Sequence, residues 1–444
     1  MQTSFPDSYV VEGGHPLSGV LKPSGSKNAA LPEIAAALLS DRPVVIDNLP
    51  ALRDTAAMLA LIESVGASVR RLSDHEVEIH AGTLEPGGLD LDLCRRIRAS
   101  ILLAGPLLAR CGRLVLPPPG GDVIGRRRLD THFLALEAMG ARAREDGGGY
   151  SFECPDGLRG TYILLDEPSV TATENAMMAA SSASGTTVLY NAACEPNVQD
   201  LAAMLGSMGA SVEGAGTNRI VINGLGGPLG SPRHEVAPDH IEIGSFIGLA
   251  AVCGGEVRIT GVPWDIVAPT MSGLSRFGIE VRREGGDLVV PGGQALEVQY
   301  DRGGAIPTVY DGPWPGFSPD LTSTAVVVAT QSRGTTLVFE KMFESRLFFV
   351  DKLVAMGASI ILCDPHRVVV SGPSRLHGTE VSSPDIRAGM ALLTAALCAD
   401  GTSVIRNVHQ IERGYQDLVA RLGALGAVIE GSGQGREDVE RGGG

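Results

Sequence analysis

Apolar positions in this chain fall into two helical patterns that alternate along its length. In one, apolar residues lie three and four apart, a polar face remains, and the run ends in Gly-Ala or Gly-Ile before a short β-rich stretch. Such a pattern predicts an amphipathic helix stopped by glycine and followed directly by a strand. It occurs at Met58 to Val69, Phe133 to Ala143, Leu201 to Val212, Met271 to Val281, Leu353 to Ile361 and Val419 to Ile429. The glycines concerned (Gly66, Gly140, Gly209, Gly278, Gly357 and Gly426) follow one another by 74, 69, 69, 79 and 69 residues, a six-fold internal repeat.

The other pattern precedes each of these runs. It is rich in small residues and apolar nearly all round, at Asn28 to Leu39, Ala99 to Ala109, Glu174 to Ala183, Glu242 to Val252, Leu321 to Ala329 and Arg387 to Ala399. A helix with no polar face must be buried on all sides. Each unit is therefore expected to hold one inner helix, one outer helix and short strands, such as Val257 to Thr260, Thr336 to Phe339 and Ser403 to Ile405. A Gly/Pro-rich break from Gly226 to Pro238 follows the third unit and divides this α/β chain into two domains of three units. The first spans 27–237, the second joins 1–26 to 238–431, and 432–444 is expected to be a disordered tail. Strands sheathing buried helices would leave inner-helix N-termini facing the gap between domains. Those termini carry partial positive charge and free N–H groups, so the gap suits anions.

Composition narrows the function. At 444 residues the chain exceeds one ordinary core, and 44% hydrophobic with 4% aromatic residues describes a core of small side chains. A formal charge of −15 argues against nucleic acid or an anionic membrane as partner, so an anionic ligand must be met by local arginines. The seven cysteines are scattered without a C-x-x-C pair, which suggests neither a disulfide framework nor a zinc site. The beginning of the chain lacks the basic and apolar regions of a secretory signal, and the longest apolar run, Ile101 to Ala109, is too short to span a bilayer. A cytoplasmic protein without membrane insertion is the expectation.

Candidate chemistry gathers in two places. The stretch from Pro119 to His132 sets three glycines and Arg126, Arg127 and Arg128 beside one carboxylate, Asp122. That combination reads as an anion-binding lid with one group able to handle a proton, or as a solvated surface loop. Ionic residues also stand near inner-helix starts: Lys27 and Asn28, Arg98, Glu174 and Asn175, Asp320, and Asp385 with Arg387. N-capping accounts for Asp320 and Asp385 as well as function does, but it leaves Lys27, Arg98 and Arg387 unexplained, since cations are disfavoured there unless an anion joins them. Glu344 to Arg346 and Glu412 to Arg413 lie between a strand and an outer helix, equivalent by repeat to Asp122 to Arg128; surface ion pairing is the alternative.

Nine ordered motifs over residues 9–430 resemble the enolpyruvyl transferases: Lys27-Asn28, Arg98-Ala-Ser, Pro119 to Arg128, Ser169 to Asn175, Glu195-Pro, Phe317 to Asp320, Phe343 to Arg346, Asp385 to Arg387 and Glu412 to Tyr415. The resemblance implies a two-domain inside-out α/β barrel. It implies transfer of the enolpyruvyl group of phosphoenolpyruvate to the 3′-hydroxyl of UDP-N-acetylglucosamine at the start of peptidoglycan precursor synthesis, with no metal or organic cofactor. The alternatives are another acceptor, a nucleoside monophosphate or shikimate 3-phosphate, and a non-catalytic anion-binding scaffold. By the same resemblance Lys27, Arg127 and Arg413 clamp the phosphate of phosphoenolpyruvate, and Arg98, Arg346 and Arg387 help to hold both substrates. Asp320 is similar to the base for the sugar hydroxyl. Asn28, Arg128, Leu129, Asp130, Thr131, Ser169, Val170, Thr171 and Phe343 match positions around the nucleotide, while Glu195 and Asp385 lie in motifs that bind substrate. Two residues depart from the usual pattern. Asp122 stands where a cysteine is common, which implies resistance to fosfomycin, and Glu167 stands where a lysine is common. Arg128 is expected to pair with Glu167 and take over that lysine's role.

Overall fold

The computed structural model describes residues 6–121, 128–146 and 148–432. It is a mixed α/β fold whose strands group, among the described residues, into six sheets, five of four strands and one of three. The helices that are apolar all round are Lys27–Ala36, Ala104–Cys111 (entered from a 3-10 turn at Arg98–Leu103), Val170–Ser182, His240–Cys253, Thr322–Gln331 and Ile386–Cys398. Nearly every residue in them is buried, as a helix without a wet face requires. The amphipathic set is Arg53–Ser64, Asp130–Ala138, Pro196–Ser207, Trp264–Leu274, Val350–Ala355 and Leu418–Ala424. All six repeat glycines adopt positive φ, from 81° at Gly278 to 103° at Gly140, a backbone state that a Cβ would penalise. Each thereby ends its amphipathic segment and turns the chain into a strand.

Several boundaries differ from expectation: three outer helices begin before their apolar runs, at Arg53, Pro196 and Trp264 in place of Met58, Leu201 and Met271. The third inner helix begins at Val170 rather than Glu174, which puts Glu174 and Asn175 in its second turn. Its first turn is polar because Thr171 lines a cavity and the Thr173 hydroxyl donates to the Ser169 carbonyl at 2.8 Å, so the apolar pattern starts late. Ser432, assigned to the tail by its composition, closes the strand Val428–Ser432 and pairs with Ser8; residues 433–444 lie outside the described residues.

Apolar side chains assemble into two separate cores. One runs from Ala29 to Val236, and the other joins Tyr9 to Leu21 with Ile241 to Ile429. The chain crosses between them twice, and the crossing segments pair: Ser26 N–H donates to the Ala237 carbonyl at 2.8 Å and Asp239 N–H to the Ser24 carbonyl at 2.9 Å. A charged trio braces the second crossing. His234 Nε2 lies 3.3 Å from Glu33 Oε1 and 3.2 Å from Asp200 Oδ1, and Asp200 Oδ2 accepts from Ala237 N–H at 2.7 Å. These three side chains are also the one group among the described residues with ligand atoms close enough for a metal ion, all within 4.8 Å of one another. The same atoms form an ion-pair cluster, with the His234 ring nitrogen set between the two carboxyl groups. Burial pulls the imidazolium of His234 down, but hydrogen bonds and charge from Asp200 and Glu33 outweigh it and raise it to about 10. Burial pushes Glu33 up to about 8, against the hydrogen bond from His234.

Both groups hold their protons better folded than unfolded. Stability from His234 is complete below its unfolded value of about 6.5 and is lost as pH rises through about 10; Glu33 changes in the same direction through about 8. The melting temperature is therefore expected to fall by a few degrees between neutral pH and pH ~10. His234→Gln should lower it at neutral pH and flatten that slope; an unchanged slope in calorimetry would remove the trio as its cause.

Candidate active site

The N-terminal ends of all six inner helices, with the 3-10 turns that lead into the second (Arg98–Leu103) and the fifth (Pro319–Leu321), open on one cavity of about 260 Å³. Lys27 and Asn28 enter from the first helix, Arg98 from the second, Val170 and Thr171 from the third, His240 from the fourth, Asp320 from the fifth, and Asp385 and Arg387 from the sixth. Local capping fixes where these turns begin. Ser26 Oγ accepts from Ala29 N–H, Asp239 from Ile241 and Glu242 N–H, Ser318 Oγ from Asp320 N–H, and Asp385 from Arg387 and Ala388 N–H. Asp385 is thus a helix cap as well as a cavity residue. Asp320 is not a cap, because Ser318 performs that task and frees the Asp320 carboxylate for other partners.

Those partners are two buried arginines. Arg346 donates to Asp320 Oδ1 at 2.9 Å, while Arg387 donates to Oδ2 through Nε at 3.0 Å and approaches it through NH2 at 2.8 Å. Arg346 and Arg387 are 3% and 5% exposed, so the reading of Arg346 as half of a surface ion pair falls. Phe343 packs in the cavity wall with the Arg346 guanidinium 5.2 Å from its ring centre, and Tyr415 lies 5.5 Å under Arg387. Burial works to raise the Asp320 carboxyl, but the charges of Arg387, Arg346 and Lys27 prevail and hold it far below the ordinary carboxylate range. Arg387 is held protonated despite burial, chiefly by Asp320.

Across the cavity Arg413 donates through Nε at 3.0 Å and NH2 at 3.4 Å to the two oxygens of Asp54, and Lys27 Nζ stands 3.6 Å from the same carboxylate. Asp54 belongs to the first core's side and Arg413 to the second's, so the cavity is walled from both. Arg53-Asp54 stands at a strand-to-outer-helix junction, as Glu344 to Arg346 and Glu412 to Arg413 do, and carries the same ionic signal. Glu174 and Glu195 also line the cavity. Burial raises Glu174 well above the usual carboxylate range, against the Asn197 amide that donates to it at 2.7 Å, and burial raises Glu195 as well. Lys27, Arg98, Arg346, Arg387 and Arg413 line the rest of the cavity and make it cationic. A chain of net charge −15 thereby presents an anion site.

Thr171 is set by a buried network. Asn175 Oδ1 accepts from Gly105 N–H at 2.7 Å, so its Nδ2 donates to His132 Nδ1 at 3.0 Å, and the other ring nitrogen of His132 donates to Thr171 Oγ1 at 3.1 Å. Burial, and then the Arg98 charge, lower His132 to about 3, so it is a neutral spacer between helices.

Of the remaining expected residues, Leu129 and Asp130 line an adjoining hollow that shares Arg98 with the cavity. Arg128 does not pair with Glu167. Its Nε donates to Asp130 at 3.1 Å and its NH2 to Asp166 at 2.9 Å, which occupy the guanidinium fork, and Glu167 instead accepts from the Thr131 hydroxyl at 3.4 Å. Thr131 makes its shorter bond, 2.7 Å, to Asp166. Ser169 stands at the N-cap position of the third inner helix without a side-chain cap bond. Asp122 and Arg127 lie outside the described residues.

Comparison with known proteins agrees with this geometry. The EPSP synthase (3-phosphoshikimate 1-carboxyvinyltransferase) family profile matches residues 11–422. A UDP-N-acetylglucosamine 1-carboxyvinyltransferase of Bradyrhizobium diazoefficiens is 56% identical over 425 residues, 96% of this chain and 98% of its own. One of the same name from Treponema denticola is 54% identical over 95% of this chain and 98% of its own. Among solved structures, the enolpyruvyl transferase NikO from Streptomyces tendae superposes with a TM-score of 0.84 at 27% identity, covering 96% of this chain and 99% of that one. EPSP synthase from Acinetobacter baumannii shares the fold at a TM-score of 0.71 and 19% identity, covering 95% and 99%. A profile match over nearly the whole length, relatives above half identity and a cavity ringed by cationic helix starts lead to one assignment: the chain belongs to the EPSP synthase family of enolpyruvyl transferases.

Proposed function

We propose that this protein transfers the enolpyruvyl group of phosphoenolpyruvate to the 3′-hydroxyl of UDP-N-acetylglucosamine in the cytoplasm. The observation that carries the chemistry is a carboxylate, Asp320, held between two buried arginines in a cavity that Lys27 and Arg413 enter from opposite sides. The acceptor follows from the relatives above half identity. The six sheets with their paired helices are the six repeat units, arranged as an inside-out barrel in each of two domains, 27–237 and 1–26 with 238–431.

In this reading Lys27, Arg127 and Arg413 hold the phosphoryl group, and Arg98, Arg346 and Arg387 hold the remaining anionic groups of both substrates. The acceptor oxygen bonds to C2 of phosphoenolpyruvate as its proton departs toward Asp320, and C3 takes a proton from Asp122. The tetrahedral adduct then loses a proton from C3 as the C2–O bond to phosphate breaks, giving the enol ether and inorganic phosphate. Fixed cations stabilise the negative charge throughout. Asp320 becomes more basic only as substrate anions draw Arg346 and Arg387 away from it, so proton removal waits for a filled site. Asn28, Arg128 to Thr131, Ser169 to Thr171 and Phe343 contribute to nucleotide binding, and Glu195 and Asp385 to substrate binding.

Phosphate release from phosphoenolpyruvate should occur with UDP-N-acetylglucosamine and not with shikimate 3-phosphate or a nucleoside monophosphate. Release with another acceptor alone would change the substrate assignment, and release with none would leave an anion-binding scaffold. Asp320→Asn should reduce turnover by roughly 10²-fold while nucleotide affinity stays within a few fold; near-normal turnover would assign Asp320 to structure. Nucleotide binding should also lower the radius of gyration in small-angle scattering as the domains close, and an unchanged radius would argue against closure. A carboxylate is a far weaker nucleophile than a thiolate, so the protein should resist inactivation by fosfomycin. Asp122→Cys should remain active and become inactivated with time, whereas rapid covalent inactivation of the unaltered protein would refute the role given to Asp122.

A further inference from the structure

We propose that Asp54 is a positioning residue for the anion subsite: an internal counter-anion that draws Lys27 and Arg413 together and competes with the phosphoryl group for them. The inference rests on the proposed function, which takes Lys27 and Arg413 as phosphate-binding groups.

Asp54 occupies the second position of the helix Arg53–Ser64, where the helix dipole favours an anion, and it is only 6% exposed. Arg413 ends the 3-10 turn Val408–Arg413 on the far side of the cavity. Its guanidinium spans both carboxylate oxygens, at 3.0 Å and 3.4 Å, in the fork geometry that fixes orientation as well as distance. Lys27 Nζ, 3.6 Å from Oδ2, completes a bridge in which one carboxylate serves cations from opposite cores. The seam is reinforced beside it, where Ala51 N–H donates to Gln416 Oε1 at 2.9 Å. The side chains of Lys27 and Arg413 are 11% and 16% exposed, so water screens their mutual repulsion poorly and Asp54 offsets it.

The same carboxylate opposes a ligand. A phosphoryl group that reaches Lys27 and Arg413 meets the negative charge of Asp54, and like charges in a poorly solvated site are unfavourable. Asp54 therefore makes the subsite ready before the ligand comes and weakens its hold on phosphate afterwards, which favours release of the product.

The test is calorimetric titration of inorganic phosphate into the full-length protein without other substrates, repeated as product inhibition against phosphoenolpyruvate. Asp54→Asn should bind phosphate about 10-fold more tightly than the unaltered protein, with the difference shrinking as salt rises. Asp54→Glu, which keeps the charge, should remain near the unaltered affinity, and Asp54→Ser supplies the neutral variant if the Asn form does not fold. Phosphate affinity unchanged or weakened in the neutral variants would overturn the inference, because a purely structural bridge would not oppose the ligand. Lys27→Ala separates this failure from a failure of the proposed function. Loss of phosphate binding in Lys27→Ala, with no gain in Asp54→Asn, sinks the counter-anion alone. Equal binding by Lys27→Ala and the unaltered protein sinks the phosphate-binding role of Lys27 and the inference with it.

Discussion

Positive charge converging on one cavity is the constraint to which the rest of this structure answers. Six helix starts contribute partial charge, and Lys27, Arg98, Arg346, Arg387 and Arg413 contribute full charge within the same walls. Such an arrangement does not stand unless carboxylates are interposed at short range, and two of them are. Asp320 neutralises Arg346 and Arg387, and Asp54 bridges the lysine and arginine that approach from opposite cores. The distribution also explains why a strongly acidic chain can serve an anionic substrate, since its excess negative charge lies elsewhere on the molecule.

Burial makes the opposite wall compatible with this scheme. Glu174 and Glu195 would cancel part of the cationic field if both were ionised, yet desolvation keeps their carboxyls protonated more readily than solvent would. Acidic residues of one cavity thus divide by environment. Asp320, beside arginines, is held low, whereas burial pushes Glu174 and Glu195 up. His132 follows the same logic as a buried neutral ring whose hydrogen bonds orient Thr171 without adding charge.

The architecture was legible where it rests on local chemistry. Glycines that end a helix with positive φ, and helices that lack a polar face, leave marks in the chain that need no partner to interpret; both marks occur six times and coincide with the observed segments. The cavity was legible in part for a related reason. Cations at helix starts conflict with the helix dipole, and that conflict pointed to Lys27, Arg98 and Arg387. What escaped depends on which neighbour a side chain reaches in three dimensions. Arg128 reaches Asp166 in place of the adjacent Glu167, a choice between consecutive acids that sequence spacing does not make. Asp54 escaped because its partners lie 27 and 359 positions away in the chain.

The crossing between the two cores ties this chemistry to the backbone. Asp239 ends the second crossing, caps the fourth inner helix through Ile241 and Glu242, and accepts the Lys27 backbone N–H at 3.3 Å. Ser24, on the first crossing, donates its N–H to Glu242 at 2.8 Å, and Arg421 donates to that carboxylate from the helix Leu418–Ala424. Any rotation of one core against the other must therefore pass through residues bonded to the helix start that bears Lys27. Lys27 meets the crossing through its backbone N–H and Asp54 through its ammonium group, so the brace at the crossing and the charge bridge across the cavity share one residue.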